Sequence, residues 1–186
     1  MARTTTDAGE AASFKLASSP SHLLHRAEQL ATERFAQLVG DTITLRQFTI
    51  LAGVAETPGL SQSELVRATG IDRSTIGEMI SRMEKRGWLV RTPSRSDARA
   101  HSLQLSQAGA AMLSAVTKHA RAADAAILDL LPRTKARTFV NTLTKLAKIA
   151  EAAAAKAERE ARREAKRQAR QQAKAKRKQK PAGKRP

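Results

Sequence analysis

The sequence predicts a mainly α-helical protein, built around a helix-turn-helix with an adjoining β-hairpin and carried between long helices. Three observations predict it. Two short helical patterns, Gln62 to Thr69 and Arg73 to Arg86, meet at a Gly70-Ile71-Asp72 turn. Two short strand patterns, Trp88-Leu89-Val90 and the alternating His101-Ser102-Leu103-Gln104-Leu105, bracket a polar loop. Apolar residues recur at three- and four-residue steps both before and after this unit.

Residues 1–20 are rich in Ala, Ser and Thr and close on Ser18-Ser19-Pro20, so they carry too little apolar surface to offset the entropy of ordering and read as a disordered arm. From Ser21 to Val39 the positions Leu24, Ala27, Ala31, Phe35 and Leu38 mark an amphipathic helix with Ser21 as its N-cap and Gly40 at its end. A second helix runs from Thr44 through Phe48, Leu51 and Ala55 until Thr57-Pro58-Gly59 breaks it. Ser61 caps the third, with Glu64 placed for a capping box. After the hairpin Ser106 caps a helix carrying Leu113, Val116, Ala120, Ala123, Ile127 and Leu130, which Pro132 stops. Phe139, Leu143, Leu146 and Ala150 continue the spacing in a last helix. The seams are narrow, and one Trp and four Phe are few large side chains for such a core, so pairing of two copies is expected.

Charge is unevenly spread. The chain carries 34 Lys/Arg against 17 Asp/Glu, a net +17, which predicts a polyanionic partner. Residues 151–186 hold 14 Lys/Arg against 4 Glu, a net +10, leaving +7 for residues 1–150. Alanine, Glu, Lys and Arg from Glu151 to Gln172 favour continuation of the last helix, and the acid-free end from Lys166 reads as disordered. The expected organisation is an arm (1–20), one domain (21–150) whose helix-turn-helix and hairpin core spans 44–105, and a basic tail (151–186), helical then disordered.

On the helix from Arg73, the residues Ile76, Met79, Ile80 and Met83 form one stripe, leaving Arg73, Ser74, Thr75, Glu78 and Arg82 on other faces. Short hydroxyls near a helix N-terminus and guanidinium groups beyond it suit base edges and phosphates in a major groove. The loop from Ser94 to Ala100 sets Arg95 and Arg99 at the tip of a ribbon, a geometry suited to the narrow, negative minor groove. Asp97 is expected to pair with an arginine and hold the loop in one shape.

Other chemistry finds little support. The chain has no cysteine, which excludes disulfides and thiolate chemistry, and it shows no phosphate-cradling glycine loop, nucleophile elbow or paired catalytic carboxylates, so no enzyme is expected. No cofactor or metal is expected, since His22 and His25 lack further donors. The absence of Tyr and the scarcity of aromatics disfavour single-strand or RNA stacking, and no segment has the apolar length of a membrane span, so a cytoplasmic duplex-DNA binder is expected.

The run from Leu60 to Ser106 resembles the MarR family. It holds Ser-Gln-Ser-Glu-Leu-Val-Arg-Ala-Thr-Gly, Ile-Asp-Arg-Ser-Thr-Ile and Met-Glu-Lys-Arg-Gly-Trp-Leu-Val-Arg, then Asp97-Ala98-Arg99 followed by Leu105-Ser106, with Ser106 where the family has Thr. The resemblance spans Leu23 to Ala150. It implies a winged helix-turn-helix with long flanking dimerisation helices, a homodimer on a pseudo-palindromic operator, and repression relieved by a small aromatic acid or its coenzyme A thioester. By position it assigns Ser61, Gln62, Arg73, Ser74, Thr75, Glu78 and Arg82 to the DNA-binding helices, and Arg95, Asp97 and Arg99 to the wing. Gly77 stands where the family commonly has a small polar residue. A ligand pocket between the first two helices and the start of the fifth would draw on His22, His25, Arg26 and Arg46. The alternative function is a nucleoid-type architectural DNA binder dominated by its basic tail.

Overall fold

The structure is a computed structural model that describes residues 14–93 and 101–178. Its elements are α1 (Pro20–Val39), α2 (Leu45–Glu56), α3 (Gln62–Thr69), α4 (Arg73–Lys85), the strands β1 (Leu89–Pro93) and β2 (His101–Leu105), α5 (Gln107–Leu128) and α6 (Arg133–Lys178).

Local chemistry sets the boundaries. Helix α1 starts two residues earlier than the Ser21 cap predicts: Ser19 is the N-cap and Pro20 occupies the first turn. Proline is suited there because its fixed φ is already helical and its missing N–H would have no partner. Thr44 caps α2 in a box with Gln47, and Ser61 caps α3 in a box with Glu64. Gly70 closes α3 in the left-handed region at φ 69°, which lets the chain reverse into α4 at little steric cost.

The two strands pair antiparallel from Leu89 opposite Leu105 to Pro93 opposite His101. Trp88, expected as the first strand residue, lies in the preceding turn, where its N–H is bound by the Met83 carbonyl. The Gly59 N–H donates to the Leu103 carbonyl and the Leu103 N–H to the Leu60 carbonyl, at 2.9 and 2.8 Å. This extra pair clamps the α2–α3 connection onto the hairpin.

One core joins these pieces. Ile50, Leu51 and Val54 of α2, Leu65 of α3, Ile76, Ile80 and Met83 of α4, and Leu89 and Leu103 of the hairpin are all buried. Phe35 of α1 stacks obliquely on Phe48 of α2 with ring centroids 5.5 Å apart. Val116, Ala120 and Ala123 extend the core along α5, where small side chains let α1 pack closely.

Helix α6 departs from this packing. It runs unbroken for 46 residues, about 69 Å at ~1.5 Å per residue. It therefore passes the Lys166 to Lys178 stretch that net charge alone marks as disordered; alanine, Gln, Lys and Arg are all strong helix formers, and no proline or glycine occurs before Pro181. Its apolar stripe is open: Val140, Leu143, Leu146 and Ile149 are 39–66% exposed. Among the described residues no helix is long and apolar enough to cross a membrane.

Candidate nucleic-acid interface

The polar face predicted for α4 is real and is anchored from below. Ile76, Ile80 and Met83 are buried, whereas Arg73, Ser74, Glu78 and Arg82 are exposed and Thr75 is half-buried. Burying the apolar stripe fixes the rotation of the helix and thereby the face from which every polar side chain leaves it.

The start of α4 is organised by Asp72, which the Gly70-Ile71-Asp72 pattern places in the turn. Its carboxylate is the N-cap, accepting from the Thr75 N–H at 2.9 Å and from the Ser74 hydroxyl. Those hydrogen bonds, first from the Ser74 side chain and then from Thr75, hold the Asp72 carboxyl well below the usual carboxylate range. Ser74 is thus oriented by the cap while its side chain stays at the surface.

The α3–α4 junction is cross-linked. The Arg73 guanidinium donates to the Ser63 hydroxyl at 3.1 Å, and the Gln62 amide donates to the Arg73 carbonyl at 3.4 Å. A Cβ at Gly77 would lie 3.1 Å from the Gln62 Nε2, so Gly77 lets this amide lie over α4. The Ser61 hydroxyl accepts from the Glu64 N–H, and the Glu64 carboxylate accepts from both the Ser61 N–H and hydroxyl, which lowers the Glu64 pKa. Further along α4, Arg82 donates to Glu78 at 3.0 Å, one turn back on the same exposed face. Six of the ten DNA-assigned residues therefore share one surface: Ser61 and Gln62 at its α3 edge, and Arg73, Ser74, Glu78 and Arg82 across α4. Thr75 sits at the inner margin. Arg95, Asp97 and Arg99 lie outside the described residues.

The hairpin base is tied to the helices by contacts the sequence did not announce. Arg91 of β1 pairs with Glu84 of α4 at 3.0 Å, Arg86 lies over the Trp88 ring at 5.2 Å, and the Thr92 and Ser102 hydroxyls meet across the strands at 2.7 Å. A surface arginine followed by an aromatic two residues on, as in Arg86 and Trp88, was the available signal for the second.

The four residues proposed for ligand recognition are dispersed. Arg46 pairs with Glu28, bridging α2 and α1 at 3.1 Å. His22 is half-buried, and His25 and Arg26 are exposed. The large apolar groove, about 880 Å³, lies between α1, the end of α5 and α6, and is lined by Leu23, Leu24, Ala27, Ile127, Phe139 and Leu143, among others. His22, His25 and Arg26 fall on the opposite side of α1 from that lining. At the junction of α1, α2 and α5, Phe35 and Val116 belong to the buried core and Phe48 packs against it. Arg34, not singled out by sequence, has its Nε buried without a hydrogen-bond partner among the described residues, while its Nη1 donates to Gln37 at 3.0 Å.

A helix-turn-helix braced by a β-ribbon, with a polar helix face left to solvent, defines a winged-helix DNA-binding regulator. A profile of the MarR family matches residues 41–100. The HTH-type transcriptional repressor NicR of Pseudomonas putida is 35% identical over 101 residues, which cover 54% of this chain and 64% of that repressor. The HTH-type transcriptional repressor Mb2911 of Mycobacterium bovis is 31% identical over 126 residues, covering 67% of this chain and 91% of the relative. Among solved structures, the transcriptional repressor CouR bound to a 23-mer DNA duplex is 29% identical with a TM-score of 0.64, covering 77% of this chain and 99% of that one. Bordetella bronchiseptica BpsR, solved to explain regulation of its DNA binding by 6-hydroxynicotinic acid, is 25% identical with a TM-score of 0.67, covering 72% and 96%. The chain belongs to the MarR family, whose members are transcriptional regulators and not enzymes.

Proposed function

We propose that this protein is a homodimeric repressor that binds a pseudo-palindromic operator and releases it when a small aromatic acid, free or as its coenzyme A thioester, binds. The observation that carries the reading is the division of α4: Ile76, Ile80 and Met83 are locked into the core while Arg73, Ser74, Glu78 and Arg82 stand exposed on the faces turned to solvent. In this reading α4 enters the major groove, Ser61 and Gln62 approach the flanking backbone, and Arg95 and Arg99 reach the adjacent minor groove.

The dimer is supported by the open apolar groove and the exposed stripe of α6, which a second copy would cover. Two reading helices must then face grooves about 34–36 Å apart. An effector that prefers a dimer with a different separation lowers DNA affinity by the same factor by which DNA lowers effector affinity. Arg34, whose buried Nε has no hydrogen-bond partner among the described residues, joins His22, His25, Arg26 and Arg46 as a candidate for the effector's carboxylate.

Fluorescence anisotropy tests this reading. Full-length protein is titrated onto the DNA upstream of its own gene and onto scrambled duplex, then challenged with hydroxylated benzoic, nicotinic and cinnamic acids and their thioesters. Selective binding reversed by one of these compounds supports it. Equal affinity for both duplexes would favour the architectural alternative.

A further inference from the structure

The extension of α6 is not free of the winged domain. Arg67, in the last turn of α3, forms an ion pair with Glu158, and Arg67, Ala155, Glu158 and Arg159 line one small cleft between the two helices. Ala155 is half-buried in an otherwise exposed stretch of α6, so this cleft is where the helix seats.

The same face continues outward as a basic stripe. Positions 155, 159, 163, 166 and 170 recur at steps of three and four and so share one side of the helix. Past the seat that side carries Arg159, Arg163, Lys166 and Arg170, with Arg167 at its margin, all exposed. The opposite side carries Ala161, Glu164, Ala165, Gln168 and Gln172. From Arg159 to Lys178 there are ten Lys/Arg against two Glu, a net +8, over about 30 Å of helix at ~1.5 Å per residue. The reading face stays clear of it: the Glu78 and Arg82 side chains are 69% and 70% exposed.

We propose that α6 beyond Glu158 is a phosphate-binding arm, fastened to α3 by the Arg67–Glu158 pair, that grips the backbone of duplex DNA flanking the site read by α4. The inference rests on the DNA-binding reading above. A stripe of guanidinium and ammonium groups without base-reading geometry matches a row of phosphates, and a reach of about 30 Å corresponds to roughly nine base pairs. The alanines behind the stripe give no bulky side chain for lipid insertion, and the arm has no aromatic for stacking on single strands.

The test uses the full chain and a variant with Arg159, Arg163, Lys166, Arg167 and Arg170 each changed to Gln, its helicity checked by circular dichroism. Affinity is measured across a salt series on the upstream duplex and on scrambled duplex. The expected result is a shallower log–log salt slope on both, by ~0.9 for each lost phosphate contact, with the ratio between the two duplexes retained. A slope unchanged on both duplexes overturns the proposal. If even the unmodified chain fails to distinguish the duplexes, the operator reading falls, while the slope difference still decides the arm.

The fastening is tested separately, on duplexes of about 20 and about 40 base pairs centred on one site. Glu158→Arg alone should erase the affinity gained from the longer flanks, and adding Arg67→Glu should restore it. A gain that is unchanged in the single variant overturns the anchoring role.

Discussion

Gly109, in the first turn of α5, sits directly against the backbone of Trp88 at the base of the hairpin: a Cβ built on Gly109 would lie 2.0 Å from the Trp88 carbonyl oxygen. That carbonyl accepts the Ser106 N–H at 3.1 Å, and the Ser106 hydroxyl, after accepting from the Gly109 N–H, donates to the Gly87 carbonyl. The contact welds the ribbon that flanks the reading helix to the long helix that packs on α1. A displacement of α5 must therefore carry the hairpin base with it, which is the mechanical link a ligand-responsive regulator needs.

Gly109→Ala gives the first prediction. Helix propensity alone would make this change stabilising by about 1 kcal/mol. The backbone clash reverses the sign, because no rotamer change can move a carbonyl, and a loss of roughly 1–3 kcal/mol is expected. Urea denaturation of the two proteins at equal concentration measures it.

Asp72 sets an acid dependence. Its folded pKa is depressed by the hydrogen bonds from Ser74 and Thr75, so its contribution to stability is present above the unfolded carboxyl value near ~3.9 and is lost as pH falls toward the folded value. Asp72→Asn keeps an N-cap acceptor but cannot titrate. The urea midpoint of the native protein should therefore lose ground to the variant between about pH 5 and pH 3, and parallel midpoints through that range would remove Asp72 from the acid limb.

Arg82 and Arg99 should fail differently. If α4 enters the major groove as proposed, Arg82→Ala removes one of its contacts and frees Glu78, and an operator affinity loss of ~1–3 kcal/mol is expected, with selectivity over scrambled duplex reduced. Arg99→Ala is expected to weaken protection at minor-groove positions. Anisotropy resolves the first effect and hydroxyl-radical footprinting the second.

The exposed α6 stripe predicts assembly. Leu143→Asp and Leu146→Asp together place two charges where a second copy would bury Leu143 and Leu146, 39% and 48% exposed in the single chain. Light scattering after size exclusion should show the native chain as a dimer and the variant as a monomer with little operator affinity.

Effector response should depend on Arg34 more than on Arg46. Arg46 is already compensated by Glu28, whereas the Arg34 Nε is buried and unpaired among the described residues. Arg34→Gln is expected to raise the acid concentration needed for release by about tenfold, as for loss of one charge-assisted hydrogen bond, with DNA affinity in its absence retained. Calorimetric titration of the active acid into Arg34→Gln and into Arg46→Gln checks this, with the smaller change expected for the second.

Sequence made the reading head legible because its signals are local. Ser61 with Glu64, the Gly70 turn and the Ile76-Ile80-Met83 stripe are each set by neighbours within four residues, and each occurs where expected. Asp72 was missed because Gly-Ile-Asp satisfies a turn pattern as well as a cap, and Ser21 displaced Ser19 because two serines flank Pro20. What escaped altogether is long in sequence. Nothing near Gly109 announces Trp88, the Arg67–Glu158 pair spans 91 positions, and the pairing of Leu60 with Leu103 depends on how the hairpin folds back. The ligand candidates follow from residue type and from the helices expected to border a pocket, and neither carries information on which side of α1 faces a cavity.

The central claim is a dimer reading two grooves one turn apart under control of a small acid. Hydroxyl-radical footprinting of the full-length protein on the DNA upstream of its own gene, with and without an aromatic acid, tests it most directly. Two symmetric protected half-sites whose centres are about 34–36 Å apart, both lost together on adding the acid, are predicted. Uniform protection with no symmetric centre, unchanged by every acid, would contradict it.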